Sequence, residues 1–269
     1  MSDFCPGSVF RCVLVLWVAL LLAPHPGLAR ASEARAASSA SGQPQPPADA
    51  DFLFGRPRTV LGVAGGWLAG TESGDLFEFV RDELTIDEGD FDTATVRFTI
   101  GRALGPRLDA LAEVGVSQAR VQSEYRDFVE GDDLPITQTS ELLRVPVQGT
   151  LRAWLVPRGR EIGRFVWVPR RVAPYVGAGG GGHWYRFTQF GDFVDFVDLG
   201  IFSDRFETGG WAWTGHVFGG VSIRVARQTF LNVEARQTWA QTPTSGDFVG
   251  FDTIGLGGLR LSGGLEFVF

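Results

Sequence analysis

The chain has 269 residues, of which 44% are hydrophobic, and it is unusually rich in glycine (36) and phenylalanine (22). Its formal net charge of −7 argues against nucleic acid as a partner. Its two cysteines, Cys5 and Cys12, both lie near the N-terminus, so the rest of the chain is neither a disulfide scaffold nor a thiol-dependent enzyme.

The N-terminal segment has the pattern of an export signal. Residues 12–23 form an apolar run that is too short to span a bilayer as a helix and is typical of a signal-peptide core. Because Ala29-Arg30-Ala31 offers a small-x-small cleavage site, we predict a signal peptide over residues 1–31. The following segment is rich in Ala, Ser, Pro and Gln without apolar periodicity, which predicts a disordered periplasmic leader over residues 32–57.

From residue 58 onward, apolar residues recur at every second position, as they do in β-strands. Eight segments alternate in this way: 59–70, 93–103, 107–122, 139–156, 172–187, 210–225, 228–240 and 254–269. In the last of them, Leu265, Phe267 and Phe269 point to one face, while Glu266 points to the other. No helical stretch of convincing length follows residue 58, so we predict an all-β domain over residues 58–269.

The polar face of these strands distinguishes a membrane barrel from a soluble sandwich. It mixes Gly, Ser and Thr with a few Arg and Glu, which suits the cramped interior of a narrow barrel better than a surface in water. Five tryptophans near strand ends would form an interfacial girdle: Trp67, Trp184, Trp211, Trp213 and Trp239. Long and short links alternate, except for 157–171. We therefore predict an eight-stranded antiparallel up-and-down transmembrane β-barrel with long extracellular loops.

Three stretches of the sequence, residues 141–154, 174–179 and 262–269, resemble those of a known family. That family is the small eight-stranded outer-membrane β-barrels, which include the OmpA-like transmembrane domain and the opacity-type surface proteins. The C-terminal stretch resembles the assembly signal of these barrels at Ser262, Gly264, Phe267 and Phe269. The resemblance implies a location in the bacterial outer membrane, contact with its lipid and lipopolysaccharide, and recognition of the last strand by the barrel-assembly machinery. It implies no activity, because the family has no shared catalytic set.

Charged residues on the polar face form the first candidate site. They are Arg97, Glu113, Arg144, Arg152, Arg224, Glu234, Arg236, Arg260 and Glu266. We expect these side chains to neutralise one another inside the barrel, because an eight-stranded barrel is filled by its side chains and buried charges need partners. The alternative is a gated, weakly anion-selective pore, which the surplus of arginine favours.

The two histidines that follow the leader, His183 and His216, are also expected to face the lumen. A lipid-active enzyme would need a hydroxyl or water activated by histidine and oriented by a carboxylate. His183 has no adjacent serine, so we interpret both as hydrogen-bonding lumenal residues. No catalytic residue, metal or cofactor is predicted.

Two of the long links have distinctive compositions. The first, 70–92, is strongly acidic and is expected to be a solvated surface, since Asp87–Asp92 lacks the spacing of a known calcium loop. The third, 187–210, alternates phenylalanines with acidic residues, which predicts that its strands rise as a hairpin above the membrane.

These patterns favour a non-enzymatic outer-membrane protein with an envelope-structural or surface-interaction role. Two alternatives stay open, a porin-like channel for small or hydrophobic compounds and a lipid-active enzyme. The sequence does not predict the oligomeric state.

Overall fold

The computed structural model describes residues 52–129, 134–195 and 197–269. The predicted signal peptide, most of the predicted leader and Phe196 of the third link lie outside these ranges. Within them the elements are, in chain order, β1 (Leu53–Phe54), β2 (Thr59–Ser73), α1 (Asp75–Glu83), β3 (Thr93–Ala103), β4 (Leu108–Val129), β5 (Pro135–Trp154), β6 (Gly159–Ile162), β7 (Val166–Pro169), β8 (Val172–Val194), β9 (Ile201–Arg224), β10 (Thr229–Pro243), a 3₁₀ turn (Gly246–Phe248) and β11 (Thr253–Val268).

Eight of these strands close into one antiparallel barrel, in the order β2-β3-β4-β5-β8-β9-β10-β11 with β11 paired back to β2. The eight predicted strands and the barrel are thus confirmed. Strands β8 and β9 extend further than predicted and pair as far as Val194 and Ile201, as the alternation in the third link indicated.

The C-terminal residue joins the last strand to the first. The carbonyl oxygen of Phe269 accepts hydrogen bonds from the backbone N–H groups of Arg58 at 2.7 Å and Thr59 at 2.9 Å. In return, the Phe269 N–H donates to the Thr59 carbonyl at 3.0 Å. The barrel seam is therefore paired to its last residue, which leaves no open sheet edge there.

The outer wall of the barrel is an apolar belt. Large side chains such as Ile100, Leu151 and Leu261 are exposed there, and Trp213 is 87% exposed. Charged residues appear on the wall next to Trp184. Two residues along the same strand, Arg186 stacks on the Trp184 ring at 5.3 Å and pairs with Glu207 at 3.4 Å. An apolar band bounded by tryptophans and then by charges is the exterior of a transmembrane barrel. Among the described residues, no helix is long and apolar enough to cross a membrane.

One mouth of the barrel, called here the cap end, is filled by α1, which the sequence analysis did not predict. Leu76, Phe77 and Val80 of this helix are buried against inward-facing residues of the wall. Asp75 and Glu78 lie in its first turn and Arg81 lies in its last, which suits the helix dipole. The acidic first link is therefore solvated on one face only.

The other mouth, called here the sheet end, is covered by a three-stranded sheet in the order β1-β7-β6. Leu53 pairs with Trp167, and both are buried with Phe230 and Val268 of the barrel. The predicted disordered leader is therefore too long at its C-terminal end, since Leu53 and Phe54 form a strand. The burial of Leu53 offsets part of the entropy lost in ordering this segment.

Candidate functional site: the barrel interior

The interior of the barrel holds three groups of paired charges, one above another. Nearest the cap end is a single pair, in which Arg144 Nη2 donates to Glu72 Oε1 at 2.6 Å. Arg144 Nη2 also reaches the carbonyl oxygen of Phe91 at 3.3 Å. Both side chains are buried, so the Arg144–Glu72 pair is held in a low dielectric.

The second group, called here the middle quartet, consists of Arg97, Glu113, Glu234 and Arg236. Arg236 holds Glu113 with two nitrogens, Nη1 at 2.5 Å and Nη2 at 3.1 Å, which is the bidentate geometry that arginine favours with carboxylates. Arg236 Nε donates to Glu234 at 3.0 Å. Arg97 bridges the two carboxylates, with Nη1 at 2.7 Å from Glu234 and 3.3 Å from Glu113. Each charge therefore has two opposite partners.

The third group, called here the lower quartet, consists of Asp109, Arg152, Arg158 and Glu266. Arg152 contacts Glu266 at 2.6 Å and Asp109 at 2.8 Å. Arg158 comes from the link after β5 and enters the barrel from the sheet end, where it donates to Glu266 at 2.8 Å. This quartet is neutral, as is the middle one.

Aromatic rings support the guanidinium groups from the side. Arg236 lies over the Phe218 ring at 4.6 Å, and Arg152 lies over Trp154 at 4.6 Å. Tyr175 packs edge-on against Trp154 and donates its hydroxyl to Glu234 at 3.3 Å. Such cation–π contacts favour the charged form of arginine where water is excluded. Tyr175 connects the two quartets, because it contacts Glu234 of the middle quartet and Arg152 of the lower quartet.

Arg260 and His183 differ from these groups. Arg260 is 8% exposed and forms no ion pair within the described residues, and its Nε and Nη2 atoms have no hydrogen-bond partner there. Both ring nitrogens of His183 likewise lack a partner in that part of the chain. His216, by contrast, places Nε2 3.1 Å from Thr150 Oγ1.

The cavities between these groups are small. One of about 30 Å³ lies between the two quartets, and another of about 30 Å³ is lined by Arg144, His183 and Arg260. Each has room for a few water molecules. A larger cavity of about 380 Å³ lies at the sheet end, beside Trp154 and Arg158. The first two are separate pockets within a filled interior.

Solved structures of small outer-membrane β-barrels are similar to this chain. Neisserial surface protein A has 14% sequence identity and a TM-score of 0.42, with 82% of this chain and 98% of that chain covered. Outer membrane protein OprG from Pseudomonas aeruginosa has 10% identity and a TM-score of 0.44, with 82% and 99% covered. Outer membrane protein AlkL, solved in lipid bilayers, has 18% identity and a TM-score of 0.38, with 85% and 97% covered.

No family model and no curated protein sequence matches the chain. The fold is that of a small outer-membrane β-barrel. A closed antiparallel barrel with an apolar outer wall is the architecture that bacterial outer membranes use, and the protein is located in that membrane in contact with its lipid.

The structure brings most of the predicted site residues together. Eight of the nine predicted lumenal charges are buried inside the barrel: Arg97, Glu113, Arg144, Arg152, Glu234, Arg236, Arg260 and Glu266. Arg224 differs, because it is the last residue of β9 and is partly exposed. His183 and His216 are both buried with their side chains on the inward face. Of the terminal residues, Ser262 and Gly264 face inward, while Phe267 and Phe269 are exposed on the outer side.

Three charges of the interior, Glu72, Asp109 and Arg158, were missed as site residues, although the sequence carried a signal for two of them. Asp109 alternates in phase with Glu113 along β4, and both are buried. Glu72 was assigned to the acidic link, but it lies in phase with the inward Gly62 and Gly66 of the same strand. Arg158 lies in a link without alternation, and no pattern in the sequence indicates that it enters the barrel.

Proposed function

We propose that the protein is a non-enzymatic and non-conducting barrel, which contributes to envelope structure and presents the tip of its β8–β9 hairpin for surface interactions. The observation that carries this proposal is the filled interior. Apolar side chains around α1 occupy the cap end, ion-paired side chains occupy the middle, and the β1-β7-β6 sheet covers the sheet end. An eight-stranded barrel filled in this way is a rigid scaffold.

Conduction would require several strong contacts to break together. A hydrated ion that passed the middle quartet would have to displace Arg236 from Glu113 and Glu234 at once. Removing one partner of a buried ion pair costs roughly 3–5 kcal/mol, so such openings would be rare. The cost of breaking these contacts favours the filled scaffold over the porin-like alternative.

The β8–β9 hairpin supports the surface role. Phe193, Phe202 and Phe206 pack on one another within it, with ring centroids 5.9 Å and 4.7 Å from Phe193. Toward the tip, Val197 and Leu199 are strongly exposed. A stiff hairpin that ends in exposed apolar side chains is typical of a protein-interaction site. We place this hairpin, and with it the cap end, outside the cell, because long loops of such barrels face outward.

The interior also supports a non-enzymatic role. Thr150, His216 and Glu113 are in contact, and these residue types occur in hydrolytic triads. However, all three are buried, and Glu113 accepts a hydrogen bond from the Thr150 hydroxyl at 2.9 Å rather than orienting the imidazole. A lipid substrate has no path to this hydroxyl past the Arg236 guanidinium and the α1 cap.

Two partners follow from the position of the last strand and of the outer wall. We propose that the barrel-assembly machinery recognises β11, whose outward Phe267 and Phe269 stand beside the seam. We propose also that lipopolysaccharide packs on the wall at the boundary marked by Trp184 and Arg186.

Planar-bilayer recording of the refolded protein tests the proposal. We expect no conductance steps from the wild type or from Arg120→Ala, a variant of the outer wall where Arg120 pairs with Glu141 at 3.3 Å. The proposal fails if the wild type gives steps of reproducible size whose ion selectivity changes in Arg236→Ala but not in Arg120→Ala.

A further inference from the structure

Among the ion-paired and buried side chains of the lumen, arginines outnumber carboxylates by one. A further acidic residue, Asp92, is only partly buried and accepts a hydrogen bond from the Gly70 N–H at 2.9 Å. The Arg144–Glu72 pair and the two quartets are each neutral, and together they contain five arginines and five carboxylates. Arg260 is a sixth buried arginine, and it adds one positive charge without a carboxylate of its own. Its cross-strand neighbour on β10 is Arg236, a like charge that is already engaged by two glutamates. A buried charge without a partner is destabilising, so we expect an anion to neutralise this guanidinium.

A cavity of suitable chemistry adjoins Arg260. It has a volume of about 30 Å³, and its lining includes Arg144, His183, Ser117 and Gln148. Arg144, His183 and Arg260 line this cavity, and Arg260 Nε and Nη2, Arg144 Nε and Nη1, and both His183 nitrogens are buried without a partner in the described residues. Either tautomer of the imidazole supplies an N–H donor. None of the residues that line this cavity is Asp or Glu. The residues around this cavity thus combine positive charge with unused hydrogen-bond donors.

The cavity between the two quartets provides an internal comparison. It has the same volume of about 30 Å³, yet its lining includes three carboxylates, Glu113, Glu234 and Glu266. The arginines that line it are already paired with those carboxylates. Water suits that balanced cavity, because no net charge is left to neutralise. The difference in lining, rather than the size, distinguishes the cavity beside Arg260.

We propose that the cavity lined by Arg144, His183 and Arg260 binds a small monovalent inorganic anion, with chloride as the natural occupant. Water alone would satisfy the unused donors but would leave the charge of Arg260 unbalanced. The volume accommodates an ion little larger than water, whereas a bulky organic anion does not fit. This site is independent of whether the barrel conducts.

Thermal unfolding of protein refolded in different anions tests this site. Bromide serves as the probe and gluconate as the bulky control, both as sodium salts at equal ionic strength. We expect the wild type and Arg205→Met, a variant of an exposed arginine on β9, to unfold at a higher temperature in bromide than in gluconate. Arg260→Met should lose this shift, or need at least about tenfold more bromide for half of it, because a charged hydrogen-bond donor is removed.

A measurement on the wild type keeps the proposal testable if Arg260→Met does not fold. Crystals of wild-type protein refolded in bromide should show an anomalous scattering peak beside Arg260 and none in the cavity between the quartets. Equal unfolding temperatures in bromide and gluconate, an undiminished shift in Arg260→Met, or the absence of that peak would each overturn the proposal.

Discussion

The substitution Glu113→Gln gives the sharpest test of how the barrel interior is held together. The Glu113 carboxylate accepts two hydrogen bonds from Arg236, at 2.5 Å and 3.1 Å, and one from Thr150 at 2.9 Å. It also pairs with Arg97 at 3.3 Å. Glutamine has nearly the same shape and keeps one acceptor oxygen, so the change removes charge while leaving the volume intact.

The expected cost follows from the charges that remain. After the substitution, Arg97 and Arg236 share a single carboxylate, Glu234, and the middle quartet carries one uncompensated positive charge. At an effective dielectric constant of about 20, one charge pair near 4 Å is worth about 4 kcal/mol. Breaking buried pairs costs about 3–5 kcal/mol in measured cases. We therefore expect Glu113→Gln to lower the free energy of unfolding by about 3–5 kcal/mol.

A second substitution separates charge from packing. Arg97→Gln alone leaves two glutamates with one arginine, so it should also be costly. The double variant Glu113→Gln/Arg97→Gln is neutral again and keeps the contacts of Arg236 with Glu234. Because contacting residues couple by about 0.5–3 kcal/mol, we expect the double variant to be less destabilised than the sum of the single variants by about 2 kcal/mol.

Urea unfolding in lipid vesicles, followed by tryptophan fluorescence, measures these differences. Arg120→Gln is the control, because Arg120 and Glu141 form an exposed pair on the outer wall that should contribute at most about 1 kcal/mol. The reasoning would be refuted if Glu113→Gln cost no more than Arg120→Gln, or if the double variant were destabilised by the full sum of the two singles.

Two further predictions concern the outer wall and the cap, and both use the same unfolding assay. Leu261→Arg, in the middle of β11, should cost roughly 2–4 kcal/mol, whereas Leu104→Arg, in a turn and equally exposed at 59%, should cost about 0–1 kcal/mol. Equal costs would contradict the placement of the membrane. Phe77→Ala should cost about 3–5 kcal/mol, because Phe77 is 1% exposed and packs on Phe91 and Phe187. Phe79→Ala on the same helix, at 38% exposure, should cost much less, and the reverse order would contradict the packing of α1.

The barrel and the inward face of its strands could be predicted from the sequence for one physical reason. A strand that faces lipid on one side and a crowded lumen on the other has only two environments, which alternate with each residue. Leu259, Arg260, Leu261 and Ser262 show this directly, since charge and hydroxyl fall on one face and leucine falls on the other. The pairing of strands then follows, because neighbours along the chain pair in an up-and-down barrel.

The elements that close the barrel could not be predicted in this way. In α1, the buried residues Leu76, Phe77 and Val80 lie within a link whose composition is dominated by acidic residues. Nine residues are too few for helix periodicity to stand out, and an isolated helix of that length is not stable in water. Its stability comes from the barrel mouth. Likewise, Leu53 and Phe54 become a strand only because β7 is present to pair with them.

The glycines of β8 and β9 explain why the arginines sit where they do. Gly177 stands opposite Phe218 in the strand register, and Gly220 stands opposite Tyr175. A Cβ atom at either glycine would clash with the ring opposite it, so each glycine makes room for one ring. Phe218 then supports Arg236, while Tyr175 lies 5.3 Å from Arg152 and donates to Glu234.

These glycines act on the arginines indirectly. Glycine admits an aromatic ring, and the ring fixes the plane of a guanidinium on another strand. Arg236 in turn holds the carboxylates of the middle quartet, and Arg152 holds those of the lower quartet. Because the cross-section of an eight-stranded barrel is fixed, a larger side chain at Gly177 or Gly220 would displace this whole chain of contacts. The glycine-rich strand is thus a condition for the ion-paired interior that fills the barrel.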